Sequence, residues 1–164
     1  MMQVHPISPL YDAHARILIL GSFPSVKSRE GMFFYHHPQN RFWQVLAAVF
    51  QAPIPQTVAE KEALLLEHGV ALWDVIASCE IEGSSDASIT NVTPTDLSPI
   101  LRTTNIQRIF CNGTAAWTLY EKYQHGLTGL PARKLPSTSP ANARWRLPEL
   151  ISAWSIIKGE NQDG

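Results

Sequence analysis

The run Arg16-Ile17-Leu18-Ile19-Leu20, closed by Gly21, constrains the fold more than any other stretch of the chain. A half-buried strand alternates apolar and polar residues, whereas consecutive large apolar side chains need cover on both faces. Such a strand belongs in a parallel sheet with helices packed on either side. Similar runs follow at Val70-Ala71-Leu72-Trp73, at Arg108-Ile109-Phe110-Cys111 and, more weakly, at Ala132-Arg133-Lys134-Leu135. Helical patterns fill the gaps. Trp43, Leu46, Ala47 and Phe50 make one apolar stripe, and Ala116, Leu119, Tyr120 and Tyr123 repeat its spacing, as do Leu147, Leu150, Ile151 and Trp154. Thr57 with Glu60 is a capping box, and Gly69 closes the helix that it starts. Strands alternating with helices predict a three-layer α/β/α sandwich around a mostly parallel sheet of about four strands. The 164 residues suit one domain, placed at 1–158, followed by a polar tail at 159–164.

Composition narrows the function. Hydrophobic residues at 45% and charged residues at only 16% exclude disorder and coiled coil. A net charge of −1 excludes a strongly basic coat, so a nucleic-acid partner needs a local patch. Cys79 and Cys111 are the only cysteines, which fits a reducing compartment with both as small core residues. There is no CxxC, no zinc-finger spacing among the six His, no basic-then-apolar leader and no 18-residue apolar window. The expectation is a soluble cytoplasmic protein with no membrane contact, no metal and no cofactor.

In α/β sheets ligands bind beyond the carboxyl ends of the strands, which directs attention to four segments: 21–40, 74–91, 112–114 and 136–146. Gly21-Ser22-Phe23-Pro24-Ser25 leaves the first strand; Gly21 and Ser22 permit close backbone approach, and a helix beginning nearby offers N–H groups to an anion. Phe33-Phe34-Tyr35-His36-His37-Pro38-Gln39-Asn40 is less usual, because three aromatics in a loop must pack or stack on a flat ligand. Phe33 and Phe34 read as core, whereas Tyr35 is placed to face a pocket. Asn40 either serves a site or caps the helix carrying Trp43. Asp74 and Asp86 read as loop structure, and His36-His37 lacks partners for a metal. Pro136-Ser137-Thr138-Ser139-Pro140-Ala141-Asn142-Ala143-Arg144-Trp145-Arg146 is a stiff loop with hydroxyls for phosphate, two Arg and a bulky apolar tip.

Together these segments resemble the uracil-DNA glycosylase superfamily over nearly the whole chain. His37-Pro38-Gln39-Asn40-Arg41-Phe42-Trp43 matches a motif of the mismatch-specific branch at all but one free position. Phe23 stands where most branches put a water-activating Asn or Asp, and Ser137 where others have His or Asn. That combination is similar to the hypoxanthine-DNA glycosylase branch. The resemblance implies Asn40 as the catalytic residue, orienting water rather than titrating. Base binding falls to Gly21, Ser22, Phe23, Pro24, Tyr35, His37 and Asn112, and DNA binding to Ser25, Ser137, Ser139, Asn142, Arg144 and Trp145. It also implies damaged DNA as partner, a monomer, and a wedge at Arg144 or Trp145 that fills the space left by a flipped base. No motif Lys is placed for a Schiff base, so hydrolysis without strand cleavage is expected. A mismatch-specific uracil glycosylase and a non-catalytic lesion-binding module are the alternatives.

Overall fold

Two sheets organise the chain. In the computed structural model, which describes residues 2–159, the elements are β1 (Met2–Val4), β2 (Ile17–Gly21), α1 (Val26–Gly31), α2 (Phe42–Val49) and α3 (Val58–Glu67). Then come β3 (Val70–Asp74), β4 (Ile76–Glu80), β5 (Thr90–Pro94), α4 (Ser98–Thr103), β6 (Arg108–Asn112), α5 (Thr114–Tyr123), α6 (His125–Thr128), β7 (Ala132–Leu135) and α7 (Leu147–Trp154). Single 3-10 turns lie at Asp86–Ser88, Pro140–Asn142 and Ser155–Lys158. The four strands expected from the apolar runs form one parallel sheet in the order β3-β2-β6-β7. The sheet and its flanking helices are the expected α/β/α arrangement. The expected polar tail falls outside the described residues after Gly159.

β2 is an inner strand, and all five of its residues are buried. Its alternation sorts the apolar side chains to two cores. Ile17 and Ile19 pack with Leu72 and Phe110 against Phe42, Leu46, Leu65, Leu150 and Trp154 of α2, α3 and α7. Leu18 and Leu20 pack on the other face with Ala71, Ile109 and Cys111 against Ile100, Ala116 and Tyr120 of α4 and α5. Each such side chain removed from water contributes roughly 1.5–3 kcal/mol, so β2 fixes the sheet and the direction in which its carboxyl end points. The α3 capping box forms as read: Thr57 Oγ1 accepts from the Glu60 N–H at 3.1 Å, and Glu60 Oε1 accepts from the Thr57 N–H at 3.2 Å.

The second sheet, β1-β4-β5, is antiparallel and was not readable from the pattern. β4 and β5 pair with register shifts at two points, so neither strand alternates cleanly. β5 is largely exposed, contains Asn91 at φ 53° and ends in Pro94, all features of a loop sequence. Buried Gln124 ties this sheet to α5, donating from Nε2 to the carbonyls of Val75 at 3.1 Å and Thr95 at 2.7 Å. Immediately after β3 the backbone turns back on the first loop, with Val75 N–H donating to Gly21 O at 2.8 Å and Ile76 N–H to Ser22 O at 3.2 Å. No helix among the described residues is long and apolar enough to cross a membrane.

Candidate active site

The carboxyl ends of β2, β3 and β6 and the loop after β7 enclose a cavity of about 130 Å³. That is well below the roughly 300–1,000 Å³ of sites for drug-sized molecules, so it suits one small flat group. Phe23, Phe34 and Tyr35 form its apolar wall, while Ser22, Asp74, Asp86, Asn112, Ser137 and Ser139 supply polar atoms. Gly21 is the floor. A β-carbon there would lie 2.5 Å from Asp74 Oδ1 and 3.1 Å from the Tyr35 hydroxyl, so the missing side chain leaves room for both groups beside the strand end.

Asp74 ends β3 and is buried. Its Oδ2 accepts from His5 Nε2 at 2.7 Å, and the His5 side chain is as closed to solvent as its partner. Tyr35 adopts a left-handed φ of 51°, which a bulky residue seldom does, and its ring stacks on Phe42 at 4.1 Å between centroids. Its buried hydroxyl has no hydrogen-bond partner among the described residues. Burial first, and the Asp74 charge second, push the phenol well above its ordinary range, so the hydroxyl stays a neutral donor.

Asn112, the last residue of β6, is engaged by the loop after β7. Its Oδ1 accepts from the Thr138 N–H and its Nδ2 donates to Thr138 Oγ1, each at 3.0 Å. Thr138, fully buried, passes the connection on by donating its hydroxyl to Asn40 Oδ1 at 2.8 Å. The same Asn40 oxygen accepts from the Phe42 N–H at 2.9 Å at the start of α2. Asn40 therefore does cap the helix, and what it has left to offer is its amide N–H₂. It stands two hydrogen bonds behind the cavity wall, through Thr138 to Asn112, rather than among the lining residues.

The rim is closed by long-range contacts. Ser22 Oγ donates to Asp86 Oδ1 at 2.7 Å, and Arg29 donates to Pro24 O at 3.2 Å and Gly83 O at 2.5 Å. Burial of its carboxylate raises the Asp86 pKa, the Ser22 hydrogen bond opposes this, and the Asp74 charge adds to the rise. Two N–H groups at the start of α1 are already taken, Val26 by Ser84 Oγ and Ser28 by Ser25 Oγ. Beyond the rim a groove of about 490 Å³ shares Asp86, Ser137 and Ser139 with the cavity and runs past Thr114, Lys134, Asn142 and Trp145. Arg41 braces its outer wall by donating to the carbonyls of Trp145 at 2.5 Å and Asn142 at 3.1 Å.

Of the residues selected from the sequence, Gly21, Ser22, Phe23, Pro24, Ser25, Tyr35, Asn112, Ser137 and Ser139 share the cavity, and Asn142 and Trp145 line the groove. Arg144 is exposed beside them. His37 shapes the turn before α2, its Nδ1 accepting from Gln39 N–H at 3.1 Å and its carbonyl from Asn40 N–H at 2.9 Å. Sequence reasoning weighed Asp74 and Asp86 for a supporting role but read them as loop structure, and it passed over His5; the structure places both carboxylates on the cavity. The strand-end rule pointed at Asp74, but nothing near His5 in the chain signals its contact across 69 positions.

A cavity of this size and polarity, at the strand ends of a parallel sheet and opening on a braced groove, defines an α/β domain with a binding site for a small polar group. The chain matches the family model described as Uracil DNA glycosylase superfamily over residues 8–158, and it belongs to that superfamily. It is 34% identical over 136 residues to the Hypoxanthine DNA glycosylase of Methanosarcina acetivorans, a match spanning 82% of this chain and 85% of that one. With the Hypoxanthine DNA glycosylase of Methanosarcina barkeri it shares 30% over 158 residues, 94% of this chain and 97% of the relative. A solution NMR structure of a candidate uracil DNA glycosylase from Methanosarcina acetivorans aligns with a TM-score of 0.81 at 29% identity, over 96% of this chain and 97% of that one.

Proposed function

We propose that the protein is a monofunctional DNA glycosylase that removes hypoxanthine, the deamination product of adenine, by hydrolysing its N-glycosidic bond once the base has been flipped from DNA. The observation that carries this reading is the pairing above Gly21 of a carboxylate oxygen of Asp74 with the neutral hydroxyl of Tyr35. Hypoxanthine presents N1–H beside C6=O, and that edge needs one acceptor next to one donor. Adenine presents the reverse order. The relatives named Hypoxanthine DNA glycosylase support the same choice.

Loss of the base leaves positive charge on the sugar, and water attacking such a centre needs placement more than a strong base. The free Asn40 amide, held by Thr138 and Phe42, is the group we assign to that placement. None of the cavity-lining residues carries an amine, which favours hydrolysis over a Schiff-base route. The groove takes the strand on either side of the flipped nucleotide, with Ser137, Ser139 and Lys134 toward phosphate and exposed Trp145 as the wedge. Trp145→Ala is expected to slow release from duplex at least about tenfold, with single-stranded substrate little affected, since only the duplex requires unstacking. Equal rates on duplex for both proteins would remove Trp145 from that role.

Uracil carries the same edge as N3–H beside C4=O, so uracil release is the second reading. Base release from matched duplexes holding one deoxyinosine or one deoxyuridine separates the two. Wild type is expected to free hypoxanthine, and Asn40→Ala to lose about 10²–10³ of that rate, the usual cost of one oriented donor. Uracil release without hypoxanthine release would move the protein to the second reading. Release of neither base would end both.

A further inference from the structure

The geometry points to His5 as the positioning residue that keeps Asp74 an acceptor, so that the cavity reads the ring N–H which deamination creates. His5 lies just after β1, on the antiparallel sheet rather than the sheet that builds the cavity, and its backbone N–H is fixed by Ala77 O at 2.8 Å. Its Nδ1 accepts from the Ile7 N–H at 3.2 Å. A nitrogen that accepts carries no proton, so the ring is the neutral tautomer with its hydrogen on Nε2. That hydrogen goes to Asp74 Oδ2 at 2.7 Å. With Oδ2 held there, the other oxygen, Oδ1, is turned to the space above Gly21.

The consequence is chemical selectivity. In adenine and cytosine the ring nitrogen on the pairing edge is an acceptor, and deamination turns it into an N–H donor. An ionised carboxylate has nothing to donate, so it welcomes the deaminated base and leaves the parent base with two opposed lone pairs. If Asp74 took up a proton it could donate to adenine N1, and that distinction would be lost. The other ionisable groups facing Asp74 are Tyr35, whose hydroxyl is neutral, and Asp86 across the cavity. Among these only His5 is hydrogen-bonded to Asp74. Its ring is also seated by aromatic edges, 5.8 Å from Phe23 and 6.5 Å from Trp73, so a phenyl ring fits the same seat.

This inference rests on the reading of Asp74 as the group that meets the base. The test uses the full chain with His5→Phe, which keeps the ring and removes the donor, and His5→Gln, which restores an N–H. Carbon-13 NMR of the Asp74 carboxyl is expected to place its titration midpoint about one pH unit or more higher in His5→Phe than in wild type, with His5→Gln in between or at the wild-type value. Hypoxanthine release by His5→Phe is then expected to fall below wild type as pH drops through the variant's midpoint, by up to about tenfold once the pH is below both midpoints, and to recover toward wild type at about pH 8. A midpoint unchanged in His5→Phe, or a rate loss equal at every pH, would overturn the assignment and leave His5 as packing alone. The carboxyl titration judges the His5–Asp74 pair even if wild type releases no base. In that case the proposed function fails while the pair stands or falls on its own measurement.

Discussion

Gly21→Ala is expected to cut hypoxanthine release by at least about 10²-fold, the scale set by roughly 1 Å of misplacement at a reacting centre. The added methyl would stand 2.5 Å from Asp74 Oδ1 and 3.1 Å from the Tyr35 hydroxyl. Neither can retreat cheaply. Asp74 is tied through its other oxygen to His5, and Tyr35 is stacked on Phe42 with Trp43 Nε1 donating to its carbonyl at 3.3 Å. The strand itself has no objection to alanine, since Gly21 is not among the residues with positive φ. Circular dichroism should therefore show an intact fold while single-turnover release from a deoxyinosine duplex collapses. A variant keeping more than about a tenth of the wild-type rate would mean that the region above Gly21 is not where the base is held.

Thr138→Val should damage stability and rate together. The substitution preserves shape and removes one hydroxyl, yet that hydroxyl both accepts from Asn112 and donates to Asn40. Its loss leaves the half-buried Asn112 amide short of a partner, at a cost of about 1–3 kcal/mol. For a chain of this length that lowers Tm by roughly 3–10 °C. Asn40 would keep only the Phe42 N–H to orient its carboxamide, and a rate loss of about 10–10²-fold is expected from the freedom gained. Thr138→Ser restores the hydroxyl and should recover most of both. Wild-type kinetics in Thr138→Val, measured well below its Tm, would show that Asn40 needs no such brace.

The central sheet was legible because burial on both faces leaves an unambiguous mark. Ile17 to Leu20 admits no polar residue, and Gly21 then announces the turn. The strand-end rule, applied to those four strands, brought out most of the cavity wall. What stayed hidden depends on pairs distant in the chain. Asn40 and Thr138 are 98 positions apart, Ser22 and Asp86 are 64 apart, and His5 and Asp74 are 69 apart. Local patterning carries no trace of such pairs. Asp74 and Asp86 looked like turn residues because carboxylates are common in turns, and only tertiary placement turns one of them inward. The antiparallel strands escaped notice for a different reason: shifted registers erase the alternation by which a half-exposed strand is recognised.

The attachment of β1 has a practical side. Three residues joined to the edge of β4, with Met2 47% and Val4 69% exposed, hold in place the histidine that faces Asp74 from behind. Both hydrophobic cores are built without β1, and the parallel sheet does not need it. A preparation trimmed through His5 would keep both cores and the parallel sheet but leave the buried Asp74 carboxylate without this partner, so it is expected to melt lower while its circular dichroism stays close to that of the intact protein. For this protein the mass of the sample, beside its folded appearance, is the measure of whether the His5–Asp74 pair is still present.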